Sequence, residues 1–323
     1  MTDDRFQPVS GMDLPRFAGI PTFMRLPQAD AGDEIYKATD IGFIGIPWDG
    51  GTTNRPGARH GPRQVRDYST MIRSTHPVSY LNPFELCNCA DLGDVSPNPS
   101  GLEDTLQRIE VFFDKIRQDG ITPISVGGDH LTSLPVLRGL AKGRKLSMIH
   151  FDAHTDLFAG YFGGTKYTHG TPFRCAIEEG LLDPKRVVQI GIRGTMYDGK
   201  DIEWGREQGV TIISIDEARE RGHADVMKEA REIVGDTETY VSFDIDFIDP
   251  AFAPGTGTPE IGGPDTWLAQ QYVRGLSGVN VTGADLVEIS PPFDPSGNTA
   301  WVGASILFEL LCVVSEAVKA RAT

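Results

Sequence analysis

Apolar residues along this chain gather in two kinds of run. Over residues 41–46, 121–126, 146–151, 187–192, 210–215, 239–243 and 283–289 they stand nearly unbroken, rich in Ile, Val, Leu and Phe. A strand with one wet face would alternate, so unbroken runs separated by helix-length segments predict a mostly parallel sheet covered on both faces. The second kind recurs every three or four positions. Leu102, Leu106, Ile109, Phe113 and Ile116 make one such stripe, and Ser100 with Glu103 three positions later reads as a capping box, so a helix is expected from Ser100. Leu307, Leu310, Leu311, Val314 and Val318 make another near the end of the chain. With no internal repeat and no low-complexity linker, the pattern predicts one three-layer α/β/α domain over residues 39–323. Residues 1–38 read as an irregular arm that could wrap a neighbour.

Composition narrows the class. The chain has 323 residues, enough to bury a core without disulfide or metal staples, and its 39% hydrophobic and 23% charged residues are those of an ordinary globular protein. No apolar run stands out as long enough to cross a bilayer. The N-terminus is polar with two early acids and lacks the basic-then-apolar order of a secretory signal, so a cytoplasmic protein is expected. Cys87, Cys89, Cys175 and Cys312 are too few for a disulfide scaffold, and Cys87-x-Cys89 has no second pair to complete a thiolate zinc site. A formal net charge of −15 opposes nucleic-acid binding and permits a cationic substrate.

Candidate chemistry collects at three strand ends. Asp152-Ala153-His154-Thr155-Asp156 follows the run 146–151, and alternate positions on extended chain put its three ligand-type side chains on one side. Asp244 and Asp246 stand likewise after the run 239–243, and His130 follows Gly127-Gly128-Asp129 after a third. The carboxyl edge of a parallel sheet is where ligands gather. One D-x-H-x-D alone says little. Four aspartates and two histidines embedded among apolar strands are another matter, because unpaired carboxylates there would be prohibitively costly. Four negative charges match two divalent ions, and oxygen and imidazole donors without thiolate favour manganese, nickel or cobalt, with the choice among them open. Water activated between two such ions is a nucleophile at neutral pH, so hydrolysis is the expected reaction class. His150 is expected to point away from its strand neighbours, and His60, His76 and His223 lack ligand spacing.

Five ordered motifs, SVGGDH, HFDAHTD, THGTPF, SFDIDFIDPAFAPGTGTPE and DLVEISPPFD, resemble those of the ureohydrolases, the family of arginase, agmatinase, guanidinobutyrase and guanidinopropionase. The likeness covers nearly the whole chain and implies the arginase-like fold, a trimeric or hexameric assembly, and hydrolysis of a guanidine to urea and an amine. It implies one metal on His130, Asp152, Asp156 and Asp244 and a second on His154, Asp152, Asp244 and Asp246, with Asp152 and Asp244 bridging. It gives Asp156 and His169 proton-transfer roles, and makes Glu288 a planar, bidentate partner for the guanidinium.

Two stretches, residues 51–61 and 161–169, resemble the branch that acts on guanidino acids, with guanidinopropionase the nearest likeness. Asn54, Arg55 and Tyr161 then become candidate substrate contacts, and Arg55 or Arg59 either grips a substrate carboxylate or braces the glycine-rich loop or a subunit contact. One departure opposes this. Leu157, Phe158 and Ala159 stand where arginase-type and guanidinopropionase-type members place a polar Asn, an apolar loop suited to an N-alkylguanidine, a biguanide or guanidine itself. Rival classes are a single-metal deacetylase-like enzyme, which shares the general architecture, and a supporting subunit of a hetero-oligomer.

Overall fold

The computed structural model describes residues 3–322. Eight strands form one sheet: β1 (Ile41–Gly45), β2 (Cys89–Asp94), β3 (Thr122–Val126), β4 (Leu146–Phe151), β5 (Leu182–Ile192), β6 (Thr211–Ser214), β7 (Thr239–Asp244) and β8 (Val281–Val287). Their order is β2-β1-β3-β8-β7-β4-β5-β6, and every pair is parallel. The seven unbroken runs are strands, with ends shifted by a few residues. The eighth, β2, was not expected, because Cys89-Ala90-Asp91-Leu92-Gly93-Asp94 mixes acids and Gly with few β-branched residues. As an edge strand it pairs with one other strand, β1, while on its outer side Asp91 N–H donates to the Pro27 carbonyl and its carbonyl accepts Ala29 N–H; the buried Asp91 side chain is held by Arg66 at 2.8 Å.

Both faces of the sheet are dry, which is why the strands read as unbroken. One apolar cluster lies under the helices Gly61–Ser69, Thr266–Arg274 and Asn298–Arg321, the other under Leu102–Gln118, Ser133–Ala141 and Pro172–Glu178. The single three-layer α/β/α domain is thus present. The C-terminal helix Asn298–Arg321 corrects the membrane reading, since it is long and apolar enough to cross a bilayer, yet 78% of its apolar window is buried within the fold. Its buried Glu309 pairs with His76 at 3.0 Å and with Arg274.

The capping box is also corrected. The first long helix starts at Leu102 after Gly101, without a side-chain cap. Asn98 organises its entry instead, accepting from Ser100 N–H at 3.0 Å and donating to Asp104 at 2.7 Å, so Ser100 sits in the turn before the helix. Residues 3–38 are mostly irregular and lie on their own domain: Phe6, Phe23 and Met24 are buried, and Phe23 N–H and Met24 N–H donate to Asp91 and Ser69.

Candidate metal centre

Five neighbouring strands, β3, β8, β7, β4 and β5, end at one cavity of about 550 Å³. His130 follows β3, Asp152, His154 and Asp156 follow β4, Asp244 ends β7, and Glu288 follows β8. Backbone geometry aims them. Gly128 has no room for a side chain, because a Cβ there would collide with the Trp48 carbonyl, the acceptor of Asp129 N–H at 2.9 Å. Asp156 and Glu288 are non-glycine residues at φ 53° and 63°, the left-handed strain that fixed functional positions carry.

Buried His130 turns Nδ1 towards Oδ2 of Asp152, Asp156 and Asp244, at 3.1, 3.0 and 3.1 Å. The proton on this ring can be placed. Ser242 hydroxyl donates to Asp285 at 2.7 Å, so it accepts from His130 Nε2–H at 2.8 Å, and Nδ1 is left as a bare lone pair facing three carboxylates. Nδ1 is a buried polar atom with no hydrogen-bond partner of its own. Three carboxylate oxygens about 3 Å from one buried, unpartnered imidazole nitrogen make a donor set suited to a divalent cation. A second set lies alongside, with His154 Nδ1 3.4 Å from Asp152 Oδ1 and 3.1 Å from Asp246 Oδ2. Without a cation the charges strain against burial. Burial would push His130 down, but the carboxylates around it drive its pKa well above 6.5, while burial with Asp246 and Asp152 drives Asp244 well above 3.8.

Glu288 is committed on one side. Its Oε1 accepts both His130 N–H and His169 Nδ1–H, each at 2.9 Å. The bidentate expectation is therefore corrected: Oε2 is the oxygen left for a guanidinium N–H, and Gly257 leaves the space before it open. His169 also borders the cavity, its Nε2 2.8 Å from the Thr53 hydroxyl. Burial pushes its pKa down, but Glu288, Asp129 and Asp156 outweigh burial and raise it to about 9.

Of the other sequence candidates, Asn54, Arg55, Phe158 and Tyr161 line the cavity, with Asp152 and Asp246 buried beneath it. Leu157 and Ala159 do not. Leu157 turns into the core against Gly205, and Ala159 is exposed off the cavity, because successive side chains of this loop point in different directions. The two arginines also separate. Arg59 is tied to buried Asp49, which accepts Gly57 N–H at 2.7 Å, so it braces the loop. Arg55 stacks on Phe293 at 3.8 Å and, among the described residues, pairs with no carboxylate. Sequence reading missed Arg193, Met196, Tyr197 and Glu260, on loops after β5 and β7, and Asp201, in the first turn of the helix Lys200–Gln208; none carries ligand-like spacing. It also misplaced His150, which shares parity with Asp152 and donates to its Oδ2 at 2.8 Å.

Comparison with known proteins identifies the family. The model of the arginase family matches residues 39–312. Guanidinopropionase of Pseudomonas aeruginosa is 55% identical over 98% of both chains, and guanidinobutyrase of the same organism is 46% identical over 99% of this chain and all of that one. The structure of proclavaminate amidinohydrolase from Streptomyces clavuligerus superposes with a TM-score of 0.88 at 38% identity, covering 94% of this chain and 99% of that one. Matched over most of its length in family model, sequence and fold, this chain belongs to the arginase family.

Proposed function

We propose that the protein is a guanidino-acid amidinohydrolase, releasing urea and an amino acid from a substrate such as 3-guanidinopropionate. Arg55 is the observation that carries the choice of substrate. It is a cation at the cavity wall, stacked on Phe293 but, among the described residues, paired with no carboxylate, whereas Arg59 and Arg193 are spent on Asp49 and on backbone carbonyls. A carboxylate tail is the partner such a group selects. The relatives named for guanidinopropionate and guanidinobutyrate support the same reading.

His130, Asp152, Asp156 and Asp244 would hold one divalent ion and His154, Asp152, Asp244 and Asp246 a second; manganese is the proposed metal, with nickel and cobalt also suited to these donors. When bound, the ions supply a water-derived nucleophile at neutral pH and positive charge for the tetrahedral carbon. Glu288 Oε2 accepts from the guanidinium and turns its carbon towards the buried cluster. Asp156 receives the proton released by water, His169 relays protons at the cavity wall, and the departing nitrogen takes one as the C–N bond breaks. A cytoplasmic assembly of three or six copies completes this reading.

A second reading rests on the apolar part of the lining, where the Phe158 ring lies 5.2 Å from that of Tyr161 and 6.1 Å from that of Tyr197, and Met196 and Ile192 also line the cavity. That surface suits an N-alkylguanidine. Urea release across guanidinopropionate, guanidinobutyrate, agmatine and dimethylguanidine separates the two. Arg55→Ala is expected to raise KM for guanidinopropionate about tenfold to a hundredfold, the loss of one charge-assisted pair, and to leave dimethylguanidine unaffected. An unchanged KM for the acid would remove Arg55 from the reading.

A further inference from the structure

Asp152 is held from behind by two buried side chains that the metal reading does not use. His150 lies on β4 one pleat before it, fully buried, its ring 4.5 Å from Phe173 and 5.1 Å from His130. Gln189 stands directly across on β5, in register with His150 and equally buried. A Gln within an unbroken apolar strand needs partners, and the Gln189 amide nitrogen lies 2.6 Å from the Thr155 carbonyl and 3.1 Å from His150 Nδ1.

These contacts fix a proton. The Thr155 carbonyl can only accept, so the group facing it is the NH2 end, and its second hydrogen points at His150 Nδ1. Reversing the amide would set Oε1 against that carbonyl and leave two hydrogens without an acceptor, where the present orientation leaves Oε1 alone unpartnered. Nδ1 is therefore an acceptor, and the ring proton sits on Nε2, donated to Asp152 Oδ2 at 2.8 Å. The other oxygen, Oδ1, receives His154 N–H at 2.6 Å. Each oxygen has one fixed donor, and what remains of Oδ2 faces His130 Nδ1 while what remains of Oδ1 faces His154 Nδ1.

We propose that Gln189 and His150 form a positioning relay that locks the Asp152 carboxylate with one oxygen towards each metal position, so that it bridges two cations and cannot chelate one. The inference rests on the metal reading above. Its strength lies in where the donor comes from. Gln189 sets the imidazole tautomer, the imidazole sets the carboxylate plane, and both sit in the sheet, where neither has space to turn.

The test uses the full-length enzyme stripped of metal and titrated with Mn2+ against a chelating indicator, alongside kcat, KM and melting temperature. His150→Phe keeps an aromatic ring for Phe173 and removes the donor; it should weaken Mn2+ binding about tenfold to a hundredfold, the usual cost of losing such a supporting partner. His150→Gln discards the ring but puts an amide N–H where Nε2 stood, and should hold Mn2+ within a few-fold of the unmodified protein. Gln189→Leu should weaken binding in the His150 background and add nothing to His150→Gln, whose donor needs no tautomer lock. If Phe binds as tightly as His, or Gln loses as much as Phe, the site needs packing alone and the relay is wrong. If the unmodified protein does not bind Mn2+, the same titration is run with Ni2+ and Co2+; binding of none of the three means that the metal reading itself fails and takes the relay with it.

Discussion

The floor of the cavity and its rim are built by opposite means. On the floor, His130, Asp152, Asp244 and Asp246 are at most 2% exposed, each placed where a strand ends and each engaged by a backbone N–H, a neighbouring side chain or both. At the rim, Tyr197 is 84% exposed and Arg55 and Phe158 are half-buried, all on loops with few polar ties. A side chain on the floor cannot shift without breaking sheet hydrogen bonds, whereas one at the rim exchanges water for substrate at little cost. On the proposed function, the chemistry then resides in the sheet and the choice of substrate in the loops.

Breaking the floor should have the largest effect. Asp152→Asn keeps shape but removes the charge shared between both cation positions, so metal content and urea release should disappear together; elemental analysis beside the assay checks this, and an active, metal-loaded variant would refute it. Next comes His169→Ala, at the boundary between floor and rim. It touches no cation position directly, so the metals should stay while kcat falls about 10² to 10⁴ fold, the scale of a lost proton-transfer group. Equal loss of metal and rate would make it part of the metal site instead.

The third effect is a pH dependence confined to metal-free protein. The folded pKa of His169 is raised from 6.5 to about 9, so the stability it contributes is full below about 6.5 and lost as pH rises through about 9. The span corresponds to at most about 3 kcal/mol at roughly 1.4 kcal/mol per unit. Asp246 and Asp129, whose burial leads the causes that raise their pKa to about 6 and about 7, cost stability progressively as pH climbs from 3.8 towards those values. Both kinds of group act in one direction. Chelator-treated protein should therefore melt lower at pH 9 than at pH 6, and Mn2+ should narrow the gap by neutralising the same carboxylates. Equal melting at both pH values without metal would show that these charges are compensated elsewhere.

Much of the floor was legible because ligand spacing and strand ends are local features. Asp152, His154 and Asp156 alternate after an unbroken apolar run, and their burial without cations would have been too costly. His150 was misread although the signal was there, since positions 150 and 152 share a side of the strand by the same alternation. Gln189 and Asp285 left a weaker signal, polar residues inside dry strands, each of which needs a partner that only the sheet order supplies. The rim was hard to read for a physical reason. In the loop after Asp156 no period holds, so Leu157 enters the core, Phe158 meets the cavity and Ala159 meets solvent. Arg193 and Glu260 reach the cavity from loops 67 positions apart, a contact no local pattern announces.

That loop also supplies the smallest effect. Phe158 borders the cavity and packs on Tyr161 and Tyr197, so Phe158→Asn replaces part of an apolar wall with an amide. An apolar contact with one or two methyl groups is worth about 1 to 3 kcal/mol, so any turnover of dimethylguanidine should drop about tenfold or somewhat more in kcat/KM. Guanidinopropionate, whose carboxylate Arg55 is proposed to hold, should change little or improve slightly. Ala159→Asn adds the same amide one position along, facing solvent, and should leave both substrates where they were. The pair of variants separates a wall that touches substrate from a loop that merely differs in composition. If Ala159→Asn shifts the ratio of the two substrates as much as Phe158→Asn does, the loop acts by moving as a unit, and the rim is less independent of the floor than its exposure implies.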